Sequence, residues 1–254
     1  MPRLERWFIA LLVGAWLGSP AAEPLSANNP IDAARQLLLV TANDWDSTTG
    51  VMRRFDRRNG SATWTAVGAP MNVNLGRSGL GWGRGLHGDA LGEGPIKVEG
   101  DGRAPAGAFR VTEAFGYPAR GSSAVKALKL PYRPATAQLQ CVDDVDSSHY
   151  NRIVDRGRVP RPDWTSHEEM LRDDGQYALG LVIAQNAGPA IPGRGSCVFI
   201  HVWRGQGMPT AGCTAAAATD IRQLALWLDA RQGPVIVQLP ELEYARWREV
   251  WRLP

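Results

Sequence analysis

Residues that build metal and redox centres are scarce in this chain: three cysteines and four histidines among 254 residues. No CxxC pair and no HExxH run occurs, and no histidine stands at zinc-ligand spacing from a cysteine, so no metal site, dithiol exchange centre or cofactor is expected. A G-x-S-x-G elbow is also missing, which argues against a serine hydrolase. Charge of one sign is not gathered anywhere. The net charge is +3 with Lys and Arg scattered among acids, the wrong pattern for a nucleic-acid partner. Nor is there an apolar run of the roughly 20 residues a membrane span needs.

The longest apolar stretch, Trp7 to Leu17, follows Arg3 and Arg6 and precedes Ser19-Pro20-Ala21-Ala22. Basic start, short apolar run and small residues are the three parts of a secretory signal peptide, here 1–22. The expectation is export to the periplasm or cell envelope, with no stable membrane span after cleavage. In an oxidising compartment three cysteines leave one over after pairing. If Cys213 is the free thiol, Cys141 and Cys197 form the natural pair; the alternative is that both are small buried hydrophobes.

Beyond a short polar linker, 23–34, the expected domain covers 35–240, and 241–254 reads as an amphipathic, Trp-rich tail packed on it. Runs at 36–41, 51–55, 63–67 and 234–239 look like strands separated by turns. The Gly-rich stretch 76–94 reads as turns, since no strand-to-helix fingerprint surrounds its GxG. Two helices are expected: 166–172, capped by Ser166, and 219–230, capped by Thr219 and apolar at Ile221, Leu224 and Leu228. The pattern is mainly β.

The segment Gly195 to Ala217, GSCVFIHVWRGQGMPTAGCTAAA, carries the chemistry. Alternation along a strand puts Val198, Ile200 and Val202 on one face and Cys197, Phe199 and His201 on the other. Twelve residues after His201, Cys213 follows a Thr-Ala-Gly turn and precedes a small-residue run that resembles a helix start. A helix N-terminus there would favour the thiolate, and an imidazole in reach would take its proton. Gly212 permits close approach of a substrate, and neighbouring N–H groups would form an oxyanion site; Thr210 either bonds within that pocket or holds the turn. His87, His149 and His167 are weaker candidates. A cysteine acyl-transfer enzyme is the leading expectation.

Thr210-Ala211-Gly212-Cys213 with His201 upstream resembles the S/T-x-G-C motif of the YkuD-type L,D-transpeptidase family, and Gly102 to Phe109, GRAPAGAF, is similar to that family's R-T-P-x-G-x-F turn and strand. Lys97 to Asp101, Tyr150-Asn151, Trp164 to Met170 and Gly195-Ser196-Cys197 look like a divergent branch. The resemblance implies a mainly β, curved β-sandwich with a few short helices. It implies acyl transfer on peptidoglycan stem peptides through a Cys213 thioester, with His201 as general base. A second stem would give an L,D cross-link, and water would give L,D-carboxypeptidase activity. One departure stands out: where many members have an arginine two residues after the cysteine, this chain has Ala215. Arg204 or Arg194, with Tyr150 and Asn151, are the candidates for contacting substrate. The missing arginine also motivates another reading, a non-catalytic peptidoglycan-binding module.

Overall fold

The computed structural model describes residues 29–58, 61, 63–89 and 92–254; the expected signal peptide and residues 23–28 lie outside them. The chain runs through β1 (Gln36–Ala42), β2 (Thr49–Asp56), β3 (Thr65–Asn74) and β4 (Leu80–Trp82) into the long β5 (Ala104–Gly116). A one-turn helix, α1 (Ser123–Lys126), leads to β6 (Tyr132–Pro134), β7 (Leu139–Val142), β8 (Arg152–Asp155) and β9 (His167–Glu169). Then come β10 (Leu179–Ile183), β11 (Phe199–Val202), β12 (Thr214–Ala216), helix α2 (Ala218–Trp227), β13 (Val235–Pro240) and helix α3 (Glu241–Trp247).

Ten strands form one sheet in the order β10-β11-β12-β3-β2-β1-β13-β5-β4, with β6 beside β5. Strand β5 also pairs with β10, Leu179 opposite Gly116, which joins the first strand of that path to the last but one. The carbonyl of Arg110 accepts from Ala184 while the next amide, Val111, donates to Pro234. Adjacent backbone groups therefore point to β10 on one side and β13 on the other, and the sheet closes on itself. Closure removes the exposed edges that an open antiparallel sheet must protect. The apolar run of β1 is buried throughout because β1 lies inside this sheet, parallel to β13 and antiparallel to β2.

Ile221, Leu224 and Leu228 are all fully buried, so the apolar stripe read in the sequence faces the core. Helix α2 begins at Ala218, however, and its N-cap is Ala217 with no side-chain cap bond, not Thr219. Trp247, which ends α3, and Trp251 beyond it are buried, their ring centres 5.3 Å apart and their planes tilted by 32°. At the other end Ile31 and Ala34 already belong to the core, and buried Arg57 donates to the carbonyls of both.

Two local expectations are corrected. Residues 166–172 are not a helix: His167–Glu169 is β9, on a separate three-stranded sheet ordered β8-β7-β9. Pairing with β7 imposes a period of two, so His167 and Glu169 bond each other at 2.9 Å while Met170 is buried. The run after Cys213 is likewise β12, which lies parallel to β11 and meets β3 at Ala215–Asn74. Ala215 and Ala216 are completely buried, on opposite faces of the sheet.

Candidate active site

Strands β11 and β12 set the geometry. Ile200 pairs with Thr214 and His201 with Ala215. Side chains at 199, 201, 213 and 215 therefore share a face, with Cys213 on the residue step beyond the ladder. The alternation expected along β11 is present. Val198 and Ile200 pack in the main core, while Cys197, Phe199 and Cys213 join a second cluster with Phe115 and Tyr177. His201 and Tyr177 meet edge to face, with 5.2 Å between ring centres.

The turn before Cys213 is tightly held. Thr210 Oγ1 donates to the Cys213 carbonyl at 2.7 Å and accepts from the Gly212 N–H at 3.1 Å. Thr210 thus holds the turn, and the Gly212 amide is already engaged, so it is not a free oxyanion donor. Gly212 has φ of +150°, and a Cβ there would stand 3.1 Å from the Arg103 carbonyl. Only glycine lets this turn lie against the Gly102–Phe109 segment, whose Arg103 guanidinium anchors to the carbonyls of Trp45 and Leu80.

Cys213 is the free cysteine and is buried. Its Sγ accepts from the Phe199 N–H at 3.4 Å and lies 3.7 Å from the Cys197 carbonyl. With β12 in place of a helix, no helix N-terminus favours the thiolate. Burial, followed by the charge of Glu168, pushes the thiol up to about 12. The cations whose charge favours the thiolate are Lys97 and Arg172. Burial also takes His201 down to about 4. At neutral pH the pair is a thiol and a neutral imidazole. His201 Nδ1 lies 2.9 Å from the Val202 carbonyl, which only accepts, so Nδ1 carries the hydrogen and Nε2 holds the lone pair.

A buried neutral histidine makes folding pH-dependent. The His201 value falls from 6.5 unfolded to about 4 folded. The unfolded chain therefore takes up the proton first as pH drops, and stability is present above 6.5 and lost between 6.5 and 4. The loss is about 3 kcal/mol. Denaturant melts at pH 7 and pH 4 should show that difference shrinking by this amount in His201→Gln; an unchanged difference would refute the assignment.

Cys141 and Cys197 are bonded, which joins β7 of the small sheet to the residue entering β11. Cys197 has φ of +53°, and its N–H donates to Asn151 Oδ1 at 3.0 Å. Asn151 Nδ2 donates to the carbonyls of Gln185 and Asn186, and the Tyr150 hydroxyl donates to Glu99. Both expected substrate contacts are thus engaged in holding the loop beneath Cys213. Arg194 pairs with Asp89 at 3.1 Å, and Arg204 is exposed beyond β11.

The arginine whose charge reaches both Cys213 and His201 is Arg172, lying 5.2 Å over the Tyr177 ring and paired with Asp174. Glu168, Tyr177 and Arg172 complete the site around the cysteine. Of these only the segment around Glu168 was visible in the sequence, through its resemblance to the family, and its helical reading hid which side chain pointed inward.

The family YkuD, L,D-transpeptidase catalytic domain, matches the chain over residues 45–237, which includes β11, the Thr210–Cys213 turn and the whole small sheet. Comparison with curated proteins and with solved structures gives no match.

Proposed function

This chain belongs to the YkuD family of L,D-transpeptidase catalytic domains, and from that premise we propose that it is an exported acyltransferase acting on peptidoglycan stem peptides. The observation that carries the reading is the placement of the free thiol of Cys213 on the same sheet face as His201, whose Nε2 lone pair is directed by the Nδ1–Val202 contact. The Cys141–Cys197 disulfide supports export, because such bonds persist in oxidising compartments.

Cys213 attacks the carbonyl of the L-centred residue of the stem. His201 Nε2 takes the thiol proton as the S–C bond forms and returns it to the departing amine of the terminal D-residue. With both groups neutral at rest, proton transfer accompanies attack rather than preceding it. The Cys213 N–H serves as oxyanion donor, since that of Gly212 is held by Thr210. An amine then resolves the thioester into an L,D cross-link, and water resolves it into a shortened stem.

The test is mass spectrometry of the protein incubated with stem tetrapeptide. A thioester on Cys213 with dimeric or shortened products is expected. A folded protein with a free Cys213 that forms neither adduct nor product would overturn the reading and leave a binding module, the alternative that Ala215 in place of arginine favours.

A further inference from the structure

The catalytic proposal accounts for Cys213 and His201 but leaves unused a carboxylate set beside them. Glu168 sits directly opposite Cys141 in the β7–β9 ladder, and directly opposed residues point their side chains to the same side of a sheet. That side is where Cys141 bonds Cys197, whose carbonyl lies 3.7 Å from Cys213 Sγ. From the other direction, the Tyr177 hydroxyl donates to Glu168 Oε2 while its ring packs edge to face with His201. Glu168 is thus tied by one path to the thiol and by another to the imidazole. Its carboxylate exerts the largest charge effect on Cys213.

Burial raises the carboxyl of Glu168, and Asp143 and Glu99 add to this, while Tyr177 and Arg172 oppose it. Among the described residues Oε1 accepts no hydrogen bond. One oxygen of this carboxylate is fixed by a tyrosine and the other accepts no hydrogen bond among the described residues, while the arginine whose charge reaches it, Arg172, is held by Asp174, so the carboxylate has a place for a cationic donor. In the reaction proposed above the group that arrives at the thioester carrying positive charge is the acceptor amine, which is an ammonium in neutral water.

We propose that Glu168, oriented by Tyr177, is the ammonium subsite for the acyl acceptor. This rests on the Cys213 thioester reading and deepens it. The carboxylate holds R–NH3+ and takes one proton, giving R–NH2 and the carboxylic acid. The amine lone pair forms the C–N bond to the thioester carbonyl, and the second N–H proton passes to His201 Nε2. The C–S bond breaks, the sulfur leaves with its electron pair and recovers that proton from the imidazolium, and Glu168 releases its own proton to water. Water as acceptor carries no charge and has no need of Glu168, so this residue sets the balance between transfer and hydrolysis.

The test follows how the thioester partitions in wild type, Glu168→Gln and Glu168→Asp. Each enzyme is acylated with stem tetrapeptide at neutral pH and offered water alone, hydroxylamine (uncharged under these conditions) or a diaminopimelate-containing stem tripeptide. Measured against its own rate of hydrolysis, Glu168→Gln should lose roughly tenfold or more of its transfer to the tripeptide, the scale of one lost charged hydrogen bond, while its partition between hydroxylamine and water stays that of wild type. Raising the pH should restore that transfer as free amine accumulates, and Glu168→Asp should recover part of it at neutral pH. An unchanged partition, an equal fall in acylation and with all nucleophiles, or a wild type that hydrolyses but never transfers would overturn the proposal. Absence of any thioester on wild-type Cys213 would instead overturn the catalytic reading beneath it.

Discussion

Cys213→Ala should form no thioester and release neither dimeric nor shortened stem peptide, a loss of at least roughly 10⁴-fold, while keeping its fold. The two halves of this expectation have separate causes. Covalent catalysis needs the sulfur lone pair, and the side chains that crowd it supply no other nucleophile: Phe199, Phe115 and Tyr177 are aromatic, and Tyr177 is pushed well above its usual value by burial and by neighbouring negative charge. Stability, by contrast, draws little from Sγ. Its contacts are a 3.4 Å bond from Phe199 N–H and a long 3.7 Å approach to the Cys197 carbonyl, so the change in folding free energy should stay within about 1 kcal/mol. Calorimetry beside the mass assay checks both. Retained turnover in the variant would end the Cys213 mechanism. The same environment fixes how the resting enzyme meets a thiol electrophile. With the thiol at about 12, only about one molecule in 10⁵ is thiolate at pH 7, and iodoacetamide should label Cys213 slowly. Rapid stoichiometric labelling would show that the ion pair exists before substrate arrives.

What the sequence made legible depended on whether neighbours in the chain or neighbours in space decide the conformation. Strand β1 and the buried face of α2 follow from local periodicity, and both are present. Alternation along β11 separated Ile200 from His201 correctly, because the strand divides two apolar clusters. The run Thr214 to Ala216 has no periodicity and suits a helix by composition; it becomes a strand because β11 and β3 flank it and take up its backbone hydrogen bonds. Residues 167–169 were misread for the same reason. Local acid and cap signals suggest a helix, whereas pairing with β7, 27 residues earlier in register, imposes a strand. The cost of that error falls on function. Only as part of a strand does Glu168 turn away from Glu169 and toward Tyr177. Arg172 escaped for a related reason: the family pattern directs attention to position 215, where Ala215 is completely buried, while a cation reaches the site from a separate loop.

The disulfide should prove the largest single contribution to stability and a condition for the complete site. Cys141 and Cys197 are 56 residues apart. Closing a loop of that length removes about 4 kcal/mol of unfolded-chain entropy, so Cys141→Ser/Cys197→Ser should melt roughly 10 °C lower. The double variant is the right one. A single Cys141→Ser would free the Cys197 thiol beside Cys213 and invite a wrong pairing. Catalytic consequences follow from what the bond joins. The small sheet carries Glu168, whereas the nucleophile and base sit on the closed sheet, and the bond at Cys197 is the covalent tie between them. Released from it, β9 should lose its fixed position relative to Cys213, and transfer to amines should fall more than hydrolysis does. A reductant offers the same comparison without mutation. It leaves a free thiol nucleophile intact, so any loss of melting temperature or of aminolysis on reduction belongs to Cys141–Cys197. Wild-type enzyme that keeps both after verified reduction would show that the two sheets hold their register through packing alone.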